Sequence, residues 1–215
     1  MPGNVPTTIR LYRIVHFQNV EYILKNGMYT RQSPHFDPNY VNIGDNTLIS
    51  ERHDYPVRIQ DYGSLGDYVP FYFAGRSPML LNIKTGFRGI AQRPQHEIIY
   101  FVCKLDDVLD NCKKWFFTDG HAKNSISDFF IDLEDLIKID WDVVKLRIWK
   151  QTEEDHDRMR RKQAEFLIKD HVPVVCIEKI LVMDDTKKQL IEDILEKLNI
   201  SITVTIDNQN KVYYP

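Results

Sequence analysis

The chain has 215 residues, 43% of them hydrophobic and 27% charged, with a formal net charge of −3. This suits a globular protein with one good core or two small ones. It excludes a strongly basic nucleic-acid binder, so any such binding must come from a local patch.

The first residues, MPGNVPTTIR, lack the apolar segment of a signal peptide. No run approaches the roughly 18 apolar residues of a membrane span. No Pro/Gly/Ser-rich linker or internal repeat divides the chain. These features predict one cytoplasmic domain spanning residues 1–215.

In chain order, IRLYRIVHF predicts a strand ending near His16. In NVEYILKNGMY, Val20, Ile23 and Leu24 share a helical face, and Gly27 is a natural residue to end the helix. Residues 30–66 show poor apolar periodicity and are expected to be irregular, ordered by Phe36, Tyr40, Tyr55 and Tyr62; long irregular segments are usually functional or disordered. DYVPFYFA predicts a strand, and RSPMLLNIKTG a turn or helix start at Pro78. HEIIYFVCKL predicts a central strand, β-branched and aromatic with almost no charge.

LDDVLDNC then suggests a short helix and KWFFTDG a strand ending in a turn. Phe129, Leu133 and Leu136 fit helical spacing, with Ser127 as N-cap. EEDHDRMRRKQ runs from acids to bases, the order a helix dipole favours. AEFLI, VVCIEKILVM and SITVTID suggest strands. Between the last two, DTKKQLIEDILEKLN places Leu190, Ile194, Leu195 and Leu198 on one apolar face. The expected class is α+β without regular βαβ alternation. There is no G-x-G-x-x-G and no P-loop.

Cys103, Cys112 and Cys176 match neither CxxC nor a zinc ribbon and are expected to be reduced and mostly buried. No histidine pair has helical spacing, so no metal site is expected.

Several residues admit both a structural and a chemical role. His16 is either a half-buried histidine bonded to backbone or a donor to a ligand hydroxyl at a strand end. Tyr72 is either core or, with Met79, part of a slot for a flat ring. Arg52 is either a solvated loop charge or a stabiliser of negative charge. His121 is either a turn residue or a substrate contact. Glu165 shares a strand face with Leu167, while Ala164, Phe166 and Ile168 take the other; it is a surface acid or a catalytic one. Residues 141–162 carry Lys145, Arg147, Lys150, Arg158, Arg160, Arg161 and Lys162 with Trp141 and Trp149. They form either a nucleic-acid surface or a solvated face over core tryptophans.

Four segments, YRIVHFQNVEYILKNGM, GDYVPFYFAGRSPML, WFFTDGHA and RRKQAEFLIKDHVP, lie in the order and spacing of the DarT family. These are DNA ADP-ribosyltransferase toxins of bacterial toxin–antitoxin systems. The chain resembles them over about residues 10–185, with Gly75 standing where proline is more usual.

The resemblance implies an ADP-ribosyltransferase fold, a split mixed β-sheet with helices around it and long substrate loops. It also implies NAD as substrate and no metal. By motif, Glu165 and Arg52 become catalytic. His16, Phe17, Gln18, Gly27, Arg52, Tyr72 and Met79 become NAD contacts, and His121, Lys150, Arg158, Arg160 and Arg161 become DNA contacts. An NAD-binding loop is implied at about residues 34–54 and a substrate-recognition loop at about 121–165.

The implied reaction transfers ADP-ribose to a base of single-stranded DNA, thymidine favoured over guanosine. It releases nicotinamide and blocks replication. The implied partner is a DarG-type macrodomain antitoxin, and the chain is expected to be a monomer. Other readings are a transferase or 2′-phosphotransferase acting on RNA or protein, and a non-enzymatic NAD- or DNA-binding module. Intact Glu165, Arg52 and His16 argue against the last.

Overall fold

A computed structural model describes residues 4–215. Eight strands form one mixed sheet in the order β10-β9-β4-β1-β3-β7-β5-β6. These are β1 (Arg10–His16), β3 (Tyr68–Tyr72), β4 (Ile98–Lys104), β5 (Trp115–Thr118), β6 (Phe129–Phe130), β7 (Glu165–Lys169), β9 (Ile177–Val182) and β10 (Thr203–Ile206). A separate ribbon pairs β2 (Met28–Tyr29) with β8 (His171–Val172). The helices are α1 (Val20–Asn26), α2 (Asn46–His53), α3 (Pro78–Thr85), α4 (Leu105–Asn111), α5 (Trp141–Lys145), α6 (Arg158–Lys162) and α7 (Asp185–Leu198).

The sheet has two well-zipped halves and a weak seam. β1 pairs with β4 along its whole length, from Arg10↔Lys104 to His16↔Ile98. β3 pairs with β7 from Tyr68↔Lys169 to Tyr72↔Glu165. Between β1 and β3 only Tyr12↔Tyr72 is in register. Pro70 contributes to this seam: it has no N–H, and its carbonyl accepts from the Arg13 guanidinium (2.8 Å). The sheet is split there, as the family resemblance implies.

The main core lies on one sheet face and includes Leu11, Val15, Phe71, Phe101 and Phe166. A second cluster on the other face joins Ile14, Leu80, Ile83 and Tyr100 to the chain's last residues. Val212, Tyr213 and Tyr214 are buried there. The Tyr214 hydroxyl accepts from Trp149 Nε1 (2.9 Å) and donates to the Arg76 carbonyl (2.6 Å). Tyr213 donates to the Ile98 carbonyl (2.6 Å). Gly75 is required where this tail passes, since an added Cβ would lie 2.7 Å from the Val212 Cα.

Three sequence expectations are corrected. Residues 30–66 are not wholly irregular, because α2 forms within them without a buried side chain, its start capped by the Asp45 carboxylate. Such a helix leaves no apolar stripe to read. Phe129 begins no helix: Phe129 and Phe130 are strand residues stacked across the ladder on Phe116 and Phe117, at 5.3 Å each. Cross-strand aromatic pairing outweighs a short helical pattern, and Asp132, not Ser127, caps the 3₁₀ turn that follows. In α7, Ile191 and Leu195 are the fully buried pair, so Ile191 joins the expected face.

All three cysteines are free and buried. Among the described residues, no helix is long and apolar enough to cross a membrane. Likewise, no cluster of histidine, cysteine or acidic side chains is arranged to hold a metal ion.

Candidate active site

A cavity of about 830 Å³ opens at the seam between β1 and β3. Tyr12, Arg13 and Ile14 line it from β1, Tyr72 from β3 and Glu165 from β7. Register explains why some of these converge. Tyr12 opposes Tyr72, and Tyr72 opposes Glu165. Directly opposed residues share a sheet face, so the three side chains form one row across the seam.

Glu165 is 2% exposed. Phe166 and Ile168 behind it enter the main core, which holds the strand still. Its carboxylate accepts from Arg52 through both terminal guanidinium nitrogens, Nη1 to Oε1 (3.2 Å) and Nη2 to Oε2 (2.9 Å). The Ala122 N–H adds a third bond to Oε1 (2.9 Å). Burial alone would raise this carboxyl's pKa, but the Arg52 charge, His121 and these hydrogen bonds hold it below its ordinary value. A carboxylate offers about four acceptor positions. Three are filled, leaving one on Oε2 for a hydroxyl.

Arg52 arrives from α2 with its side chain 14% exposed. The Asp45 cap sets the start of the helix, accepting from Thr47 N–H (2.8 Å) and Leu48 N–H (3.2 Å). His121 lines the cavity. Burial lowers its pKa and the Glu165 charge only partly restores it. Burial and the neighbouring carboxylate push the Tyr72 phenol up. Met79 reaches the same cavity from α3, whose start is fixed by Ser77 accepting from Leu80 N–H (3.3 Å) and by Pro78 in the first turn.

The structure therefore brings together Glu165, Arg52, Tyr72, Met79 and His121. Parts of both implied loops, 34–54 and 121–165, line the cavity. His16, Phe17 and Gln18 are not among its lining residues. The His16 ring is 3% exposed; its Nδ1 accepts from Gln18 N–H (3.4 Å) and its Nε2 lies 3.3 Å from Glu97. Phe17 packs beneath the Lys187 ammonium, 4.4 Å from its ring centre, and Gln18 is exposed. Gly27 lines a small neighbouring pocket with Arg13 and Phe36. Its φ of +84° and an added Cβ 2.6 Å from the Val172 carbonyl exclude any side chain there.

The basic–aromatic surface expected over residues 141–162 is largely internal. Trp141 and Trp149 are buried, as is Lys162, whose ammonium donates to the carbonyls of Gly75 (3.2 Å) and Val144 (2.5 Å). Arg160 is bound by Asp119 (2.9 Å) and Asp157 (2.7 Å), and Arg161 by Asp140 and Asp155. Arg158 pairs with Asp155 (3.1 Å). Of the implied DNA contacts, His121 and Arg160 line the cavity, while Lys150, Arg158 and Arg161 do not. Arginines drawn from water need carboxylate partners, and the acids that precede them in sequence supply several.

Arg13 is the site residue that strand reading passed over. Its signal was available: a charge in the middle of a strand, between Tyr12 and Ile14.

A family model described as "ssDNA thymidine ADP-ribosyltransferase, DarT" matches residues 12–214. A DNA ADP-ribosyl transferase from Escherichia coli O127:H6 is 35% identical over 199 residues, 93% of this chain and 91% of the relative. The solved structure of Thermus sp. 2.9 DarT in complex with ADP-ribosylated ssDNA superposes with a TM-score of 0.88 at 30% identity, covering 100% of both chains. The same Thermus protein in complex with NAD+ gives a TM-score of 0.82 over 98% of this chain and 100% of the other. With a split sheet, a buried glutamate at its seam and these matches over almost its whole length, the chain belongs to the DarT family of single-stranded-DNA thymidine ADP-ribosyltransferases.

Proposed function

We propose that this chain moves ADP-ribose from NAD to a thymine ring nitrogen of single-stranded DNA, with Glu165 and Arg52 at the reacting centre. The observation that carries this is the buried Glu165 carboxylate, ionised by a two-pronged contact with Arg52 at the inner wall of the cavity. The bond from nicotinamide nitrogen to ribose C1′ breaks, and its electron pair leaves with nicotinamide. Positive charge builds on the ribose, and a fixed carboxylate stabilises it without reorganising. The open position on Oε2 takes a ribose hydroxyl. Tyr72 and Met79 flank the nicotinamide ring.

Arg13, rather than His16, is the first-strand contact of this reading: it lines the cavity, and its guanidinium donates to the Pro70 carbonyl across the seam. The acceptor nitrogen forms the new bond to C1′ and loses its proton. Arg52 is always protonated, and a carboxylate held at low pKa is a weak base. The His121 ring, which lines the same cavity, takes the proton, while Arg52 steadies negative charge on the base. Single-stranded DNA spares the cost of extracting the base from a duplex.

The proposal extends to a toxin acting as a monomer in the cytoplasm, stalling replication and countered by a macrodomain antitoxin. Labelled NAD incubated with oligonucleotides carrying thymidine or guanosine as sole acceptor tests the chemistry. Label should enter the thymidine strand and fall by about 10³-fold with Glu165→Gln. No labelling by wild type, or full labelling by the variant, overturns the proposal.

A further inference from the structure

The loop between β5 and β6 is held more firmly than a surface connection requires. The Arg58 guanidinium donates to the carbonyls of Asn124 (3.3 Å), Ser125 (2.8 Å) and Ser127, and lies 4.6 Å over the Phe129 ring. Arg160 Nη1 donates to Asp119 (2.9 Å) and the Ser127 hydroxyl (3.1 Å). The Asn124 side chain accepts from the Ile126 N–H (3.1 Å). All this fixes the backbone around Ile126, yet that side chain is 65% exposed.

Met159, on α6, shows the same contradiction. Its neighbours Arg158, Arg160 and Arg161 are pinned by carboxylates, and Met159 itself is 36% exposed. Neither residue belongs to any of the three apolar clusters, so packing does not account for them. Both line the cavity that holds Glu165. The segments that carry them are tied together, because Arg160 next to Met159 bonds Ser127 next to Ile126. Two apolar groups that line a cavity while facing solvent mark its outer rim.

We infer that Ile126 and Met159 form an apolar clamp for the acceptor base and recognise thymine by its C5-methyl group. This rests on the thymine-transfer reading and adds what selects the base. Thymine is the DNA base carrying a methyl at that edge, and apolar contact is how proteins register it. A methionine thioether adapts to a flat ring, and a β-branched isoleucine on a fixed backbone is stiff.

The test compares initial rates of ADP-ribose transfer to oligonucleotides identical except for thymidine or 2′-deoxyuridine at the acceptor position. Wild type should favour thymidine by about tenfold, the usual discrimination for one carbon in an apolar pocket. In the double variant Ile126→Ala, Met159→Ala the ratio should fall to about one to two. The comparison is internal, so a general loss of rate does not obscure it. Because both side chains are exposed, the variant's melting temperature should stay within about 2 °C of wild type. Equal rates on both substrates for wild type, or a ratio unchanged in the variant, overturns the clamp and leaves thymine transfer standing. Labelling of neither substrate by wild type overturns both.

Discussion

The two residues that meet at the proposed reacting centre come from opposite kinds of structure. Glu165 starts β7, where four of five side chains are buried and the strand is paired on both sides. Arg52 rides on α2, a helix with no buried side chain. The carboxylate is part of the scaffold, and the cation is presented to it from the surface. Their ion pair is what seats α2 against the sheet at this point. A site divided this way keeps the charge that must not move on the rigid element and leaves the wall over the ligand on an element of low local stability.

Breaking the rigid side should have the largest effect. Glu165→Gln keeps shape but removes the charge, and transfer should fall by about 10³-fold, comparable to losing a preorganised electrostatic contact in other active sites. Single-turnover rates at saturating NAD would show it.

Breaking the surface side should cost about 10- to 100-fold and, more tellingly, move the pH profile. Burial raises the Glu165 pKa and Arg52 lowers it, with the second winning. In Arg52→Gln, burial is left with weaker opposition, so the acidic limb of the rate profile should shift to higher pH. The stability sign is consistent. A depressed carboxyl pKa gives stability that is present above its unfolded-state value and lost as pH falls through the folded one. An acidic limb that stays in place would mean that Arg52 does not set the charge on Glu165.

A milder change sharpens the contrast. Asp45→Ala removes the cap of α2, worth about 1 kcal/mol of helix stability. Because α2 adds no residue to the apolar core, the loss should emerge as a several-fold fall in transfer, with a global melting temperature nearly unchanged. Circular dichroism melting alongside the rate assay would separate the two.

The smallest effect is confined to stability. Burial, with Arg76 nearby, lowers the Lys162 pKa to about 8 from 10.5. Between those values the unfolded chain binds more protons than the folded one, so Lys162 makes stability rise with pH across that window. The stability difference between wild type and Lys162→Met should therefore change in favour of wild type from pH 8 to 10 and be flat from pH 6 to 7.

Much of this architecture was open to direct reading. Alternating or continuous apolar runs announced β1, β4, β7 and β9, and the face parity of AEFLI placed Glu165 opposite the core side. Other features were hidden for identifiable reasons. α2 has no apolar stripe, so periodicity is silent on it. FFIDLEDL fits two local structures, and pairing with Phe116 and Phe117 chose between them. The closing VYYP gave little sign of its burial because its partners, Arg76, Gln95, Ile98 and Trp149, lie 65 to 138 positions away. The arginines of residues 158–161 read as free charge, since nothing local shows which acids will bind them.

By itself the sequence determined the class of elements, the buried face of each strong strand and, through ordered motifs, the family. Hydrophobic periodicity and short motifs are local properties, and they survive in one dimension. Only tertiary structure decided that β1 and β3 separate after a single register pair, that Arg13 rather than His16 faces the resulting cavity, and that Arg52 neutralises Glu165 across 113 positions. These outcomes depend on strand register and on which charges must share a desolvated space, and both arise from the whole chain at once.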